Sequence, residues 1–173
     1  MPAPAAAPVA PAYAPPVPSP YAGFWLRLVG YIIDEAVLVL GVGILTLIAV
    51  ALIGVGTLRT TFEGLDKSED QFPPELALMI GTFFLAACLM AWLYYAWMES
   101  SSNQGTLGKM ALGLIVTDLQ GRRISFARAT GRFFSRFITS MIPLGIGYIL
   151  AGITGKKQAL HDIIASCLVL RKS

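Results

Sequence analysis

The sequence predicts an α-helical membrane protein: two transmembrane helices, a third apolar segment, and a cytoplasmic part made of a small β-hairpin and amphipathic helices. Three observations carry this reading. Only 13% of the 173 residues are charged and mean hydropathy is +0.68, whereas about a quarter of an average soluble domain is charged. The missing charge is gathered into long uncharged runs, as in chains that lipid must solvate. The basic residues cluster beside those runs, unevenly between loops, and that asymmetry orients membrane helices.

The first uncharged run is Ala36 to Leu58. Its 23 residues reach about 34 Å as a helix, enough for a hydrocarbon core of about 30 Å. The helix should begin earlier, near Phe24, because Phe24, Trp25, Arg27 and Tyr31 make an aromatic and basic interface anchor. The second run, Leu76 to Met98, has the same length and ends in Trp92, Tyr94, Tyr95 and Trp97. Pro73 and Pro74 mark its start, where a missing amide hydrogen does no harm.

Loop charges set the orientation. Between the two helices stand Arg59 and Lys67 against Glu63, Asp66, Glu69, Asp70 and Glu75. After the second helix, Lys109, Arg122, Arg123, Arg128, Arg132 and Arg136 face only Glu99 and Asp118. Two basic residues against six place the second loop and the N-terminus in the cytoplasm of a plasma or inner membrane. The third apolar segment, Phe137 to Gly155, is either a re-entrant hairpin or a third span. Pro143, Gly145 and Gly147 break it at the middle. A hairpin keeps Lys156, Lys157, Arg171 and Lys172 with the other basic residues, which favours it and a cytoplasmic C-terminus. Gly147, Ala151 and Gly155, four apart, give a flat face for close packing.

In the cytoplasmic half, Leu107, Met110, Ala111 and Leu114 recur with helical period. Leu114–Thr117 and Arg122–Ser125 predict two strands joined by a glycine-closed turn at Asp118–Gly121, with Cys167–Leu170 as a further strand. Ser125 is placed to cap a helix in which Arg128, Arg132 and Arg136 form a basic stripe beside phenylalanines. Such a helix lies on the membrane surface with its arginines on anionic lipid headgroups; the plainer reading is topology and anchoring alone.

Several functions are excluded or disfavoured. Gly105, Gly108 and Lys109 imitate a phosphate loop, but Asn103 replaces the first glycine and Met110 the magnesium-holding hydroxyl. His161 is the only histidine, and no serine or cysteine nucleophile accompanies it, so no enzyme is expected. Cys88 and Cys167 sit in apolar stretches as buried small side chains, and no metal or other cofactor is called for. The pI near 9.0 does not imply nucleic acid, because the basic residues lack interleaved aromatic stacking platforms. Residues 1–20 are a Pro/Ala-rich tail without charge, predicted to be disordered; residues 21–171 form the membrane domain.

Three ionisable residues remain. Arg27 and Asp34 are seven apart, on one helix face and separated by about 10 Å along the axis. That gap leaves room for a third partner, and Asp162 is the candidate. Asp34 falls near the inner edge of the hydrocarbon, away from the midplane, where it can serve as a structural clamp or a functional charge. Gly23-Phe24-Trp25-Leu26-Arg27, Tyr31-Ile32-Ile33-Asp34, Gly105-Thr106-Leu107-Gly108-Lys109 and Gln158-Ala159-Leu160-His161-Asp162 together resemble the RDD family of membrane proteins. The resemblance covers Tyr21 to Arg171 and maps the family's arginine and two aspartates onto Arg27, Asp34 and Asp162; Leu26 departs from the polar residue often found there. It implies no settled activity. Two readings stand: an accessory membrane protein with an Arg27/Asp34/Asp162 clamp, or an oligomeric transporter of small ions such as a sodium/proton exchanger.

Overall fold

The computed structural model describes residues 20–54, 56, 59, 63, 64 and 74–172. The Pro/Ala tail up to residue 19, and most of the acidic loop, lie outside the described residues.

Two long helices dominate. Helix α1 runs Phe24–Ile53 and α2 runs Pro74–Ser100. Both carry stretches long and apolar enough to cross a membrane, Phe24–Ala51 and Ala77–Ser100. Protein does not cover these stretches: Leu40 is 67%, Leu47 71% and Phe84 68% exposed. Apolar surface on this scale requires another apolar phase. No proline interrupts either interior, and Gly54, with a positive φ of 84°, ends the first helical run.

The chain then compacts at the end of the molecule where α1 begins and α2 finishes. Short α3, Leu107–Ala111, leads into β1, Leu114–Asp118. Helix α4 spans Phe126–Ser140, a 3-10 turn covers Pro143–Gly145, and α5 spans Ile146–Ile153. Short α6, Leu160–Ile164, is followed by β2, Cys167–Arg171. Strands β1 and β2 pair antiparallel over five residues each, with Val116 opposite Val169. The far edge of β2 is covered by the residues that enter α1: Ala22 N donates to Val169 O at 2.9 Å and Arg171 N to Pro20 O at 2.8 Å. The core between sheet and helices is Ala22, Ala96, Leu114, Val116, Ile124, Ala129, Cys167 and Val169.

The β-hairpin expected from the sequence does not form. The turn at Asp118–Gly121 is present, held by Asp118 Oδ1 accepting from Gln120 N at 2.9 Å and Arg122 N at 2.8 Å. Its second arm makes only the bridge between Thr117 and Arg123. Ser125 already caps α4, accepting from Arg128 N at 3.3 Å, so too few residues remain for a strand. The partner of β1 is the distant Cys167–Arg171 segment instead.

The third apolar segment is bent. Helices α4 and α5 meet at 119° across Met141–Gly145. Pro143 forces Ile142 into extended backbone, and Leu144 and Gly145 follow with positive φ of 60° and 66°. Gly147 lets α5 approach α4: a Cβ there would lie 2.7 Å from Thr139 Cγ2. Gly147 and Ala151 are buried as the four-residue spacing suggested, whereas Gly155 lies beyond the helix and is exposed. Because β2 pairs with β1, the chain after the bend returns to the end it left.

Candidate functional site

The compact end is held by charged side chains that water does not reach. Asp162, with no exposed surface, lies on α6. Its carboxylate accepts from Arg27 Nη1 on α1 and from Arg132 on α4, through Nε at 2.8 Å and Nη2 at 2.7 Å. Its own backbone adds Ala159 N at 3.2 Å. Arg27 is itself fixed by Ala22 O, 2.8 Å from Nε, and by Lys157 O. One carboxylate thus ties α1, α4 and α6 together.

Arg132 also reaches α2. Its Nη1 lies 2.6 Å from Glu99 Oε2. Glu99 Oε1 accepts from Lys109 Nζ at 2.7 Å and Arg136 Nη2 at 3.1 Å. Arg136 also lies over the Tyr95 ring, 4.0 Å from its centre.

Asp34 does not join Arg27 and Asp162, although the sequence had suggested a single trio. It is fully buried and accepts three neutral hydrogen bonds. The donors are Tyr94 Oη at 2.8 Å, Thr106 Oγ1 at 2.5 Å and Gly108 N at 2.7 Å. The carboxylate therefore caps α3 from another helix, beside the orphan amides of its first turn. Gly108 is what allows this approach: a Cβ there would lie 2.1 Å from Gly30 O and 2.9 Å from Asp34 Cγ. Gly105 is nearly as confined, its Cβ position 3.0 Å from Leu114 O.

The two halves are nonetheless connected. Lys109 Nζ donates to Thr106 Oγ1 at 3.3 Å, and that hydroxyl donates to Asp34. A closed circuit results: Arg27, Asp162, Arg132, Glu99, Lys109, Thr106 and Asp34, starting and ending on α1. Neighbours of Lys109 set its titration. Burial lowers its pKa to about 8, Glu99 opposes that, and Arg136 and Arg132 reinforce it.

The other residues singled out from the sequence divide. His161 is buried, its Nε2 3.5 Å from Asp162 Oδ1 and its ring against Tyr148. Burial pulls its pKa down to about 3; Asp162 works against this, and Arg132, Arg136 and Arg27 add to it. The basic stripe is not uniform. Arg128 is exposed, Arg136 is half-buried on Glu99, and Arg132 points inward with only 2% exposure. Arg132 is therefore unavailable to headgroups. Glu99, Thr106 and Tyr94 carry much of the site without having been identified as site residues. The signal for Glu99 was its position, one acid closing an uncharged run before an arginine-rich segment. Among the described residues, no three His, Cys, Asp or Glu side chains converge as metal ligands would.

Comparison with known proteins gives a consistent result. The RDD family model matches residues 21–166. An uncharacterised protein of Bacillus subtilis (strain 168), YxaI, is 34% identical over 151 residues, covering 87% of this chain and 97% of that protein. No solved structure matches the chain significantly.

Gly108→Ala should destabilise the protein by about 1–3 kcal/mol, because backbone must move to admit the methyl group. Its melting temperature in detergent should fall, with Gly131→Ala, at a helical position where a methyl group meets nothing within 4 Å, as the control for loss of a glycine. A second expectation concerns acid. The folded pKa of His161, about 3, lies below its ordinary 6.5, so the unfolded chain binds the proton preferentially between those values. Stability should fall as pH drops from 6.5 towards 3, by on the order of 1 kcal/mol per pH unit. His161→Gln should flatten the pH 6 to 4.5 part of that melting profile; an unchanged slope would assign it elsewhere.

Proposed function

This chain belongs to the RDD family of membrane proteins, and from that premise we propose that it is a multi-pass accessory protein of the plasma or inner membrane. In this reading α1 and α2 cross the bilayer, the segment around the 119° bend re-enters without crossing, and both termini are cytoplasmic. The excess of lysine and arginine after α2 supports the orientation. The return of β2 to β1 supports the re-entrant bend.

One observation carries the accessory role: the carboxylates of the site are already committed. Asp162 is saturated by two guanidinium groups and a backbone amide, and Glu99 by three cations. Groups held this way keep elements in place and are costly to release, about 3–5 kcal/mol when one buried partner is removed. The protein then acts by presenting a rigid cytoplasmic face locked to its bilayer helices.

Ion exchange is the second reading. The continuous path from Glu99 through Lys109 and Thr106 to Asp34 favours it, since carboxylate, amine and hydroxyl groups linked in this way can relay a proton. Two helices and a bent segment enclose no pathway alone, so this reading requires several copies.

Asp162→Asn separates the two. The accessory reading expects a loss of about 3–5 kcal/mol in stability, seen as lower membrane abundance and a lower melting temperature in detergent. Asp34→Asn in proteoliposomes with sodium and proton gradients tests transport; a wild-type flux abolished by that change would overturn the accessory reading. For topology, Arg171→Cys should react with an impermeant maleimide only in inverted vesicles. Labelling in intact cells would place the C-terminus outside.

A further inference from the structure

Inside the circuit lies a cavity of about 440 Å³, the size of a small-molecule site. Its deep end is polar, with Arg136, Lys109, Tyr95 and His161 on the wall. Its outer part is apolar, made by Phe24 and Leu28 of α1 and by Leu144 and Ile149 at the bend. At the mouth Tyr31, Leu144, Tyr148 and Ile149 are exposed, so the cavity opens onto the apolar surface that α1 shares with the bend. Glu35 sits outside the lining, against Tyr31.

Two polar atoms of side chains on this wall have neither a hydrogen-bond nor an ion-pair partner among the described residues. They are the Tyr95 hydroxyl and His161 Nδ1, on side chains only 3% and 7% exposed. Buried polar atoms are nearly always satisfied, so unsatisfied ones on residues that line a cavity point to a partner from outside the chain, which these two, with almost no accessible surface of their own, meet after a small movement of the wall. Their chemistry differs. His161 Nε2 faces Asp162 and so carries the proton, which leaves Nδ1 as an acceptor. The Tyr95 hydroxyl can donate, and the Arg136 guanidinium stacked over its ring brings positive charge to the same wall. The circuit itself balances three cations against three acids, so the surplus positive charge at the cavity is that of Arg136, while one carboxylate, Asp34, also stands in the lining.

We propose that this cavity holds the headgroup of an anionic, hydroxyl-bearing glycerophospholipid entering from the bilayer. The phosphate lies against Arg136 and the Tyr95 hydroxyl, a headgroup hydroxyl donates to His161 Nδ1, and the acyl chains leave past Leu144 and Ile149. A zwitterionic choline headgroup offers the acceptor no hydroxyl and brings a second cation to a positive wall. The site is independent of whether the protein is an accessory or an exchanger, and it requires only that α1 be in a membrane.

The test uses the full chain in dodecyl maltoside, read by native mass spectrometry and by melting temperature. Phosphatidylglycerol should remain as a single adduct per chain and raise the melting temperature; phosphatidylcholine and soluble sn-glycerol 3-phosphate at equal concentration should do neither. Tyr95→Phe removes a hydroxyl with no partner in the protein, so its lipid-free melting temperature should be unchanged or higher. Its phosphatidylglycerol affinity should fall about fivefold, as expected for one lost hydrogen bond. Ile149→Trp, at the exposed mouth, should block the adduct while the lipid-free melting temperature holds. Equal retention of phosphatidylcholine, stabilisation by sn-glycerol 3-phosphate matching that by the lipid, or wild-type affinity in both variants would each overturn the proposal.

Discussion

Everything at the compact end depends on one buried carboxylate shared between two guanidinium groups. Asp162 has no exposed surface, yet it is charged and held well below the ordinary carboxylate range: burial opposes the charge, and Arg132 and Arg27 outweigh it. A lone carboxylate could not persist there, since desolvation would neutralise it. Without it Arg27 would lose the carboxylate it pairs with, and Arg132 would be left with Glu99 alone. The mutual requirement places α1, α4 and α6 in a single arrangement, because each ion is tolerable only where the others already stand. The sheet follows from this. With α6 fixed, β2 emerges beside β1, and the entry to α1 closes over its other edge.

Asp34 solves a different problem with the same chemical group. Among the described residues its hydrogen-bond donors are neutral and come from α2, α3 and the residue before α3. Hydrogen bonds of this kind stabilise an anion without a counter-ion and demand short, well-directed contacts. The demand falls on Gly108, whose missing side chain is the space Asp34 and Gly30 occupy. The glycines and threonine of the Gly105–Lys109 motif are therefore explained by contact with α1, with no phosphate required. Lys109 alone faces the other way, towards Glu99, and so joins the two carboxylate systems.

What the sequence disclosed and what it concealed divide along the range of the interactions. The long helices were readable because exclusion of charge over more than twenty residues is a local property. The break at Pro143–Gly145 was readable for the same reason. The hairpin misled because its turn chemistry is real, with Asp118 folding the backbone as expected, while the pairing belongs to a strand some fifty residues later. The arginine stripe misled because periodicity gives a face and not what that face meets. Arg128 and Arg132 share a row, and only the acids brought by α2 and α6 turn Arg132 inward. The separation of Asp34 from Asp162 was hidden too, since helical spacing showed room for a third partner and nothing indicated that Tyr94, Thr106 and Gly108 would take the aspartate.

The distance along the chain between Arg27 and Asp162, 135 residues, sets the order in which the molecule can be made. A ribosome adding roughly 5–20 residues per second delivers the aspartate on the order of ten seconds after the arginine. While that interval runs Arg27 stands without Asp162, whereas Arg132, made only 30 residues before the aspartate, already has Glu99 to pair with. Until the last helix arrives, the guanidinium of Arg27 needs counter-charges from outside the protein. In the orientation proposed above those counter-charges are lipid phosphates of the inner leaflet, and the yield of the protein should follow the charge of the bilayer that receives it.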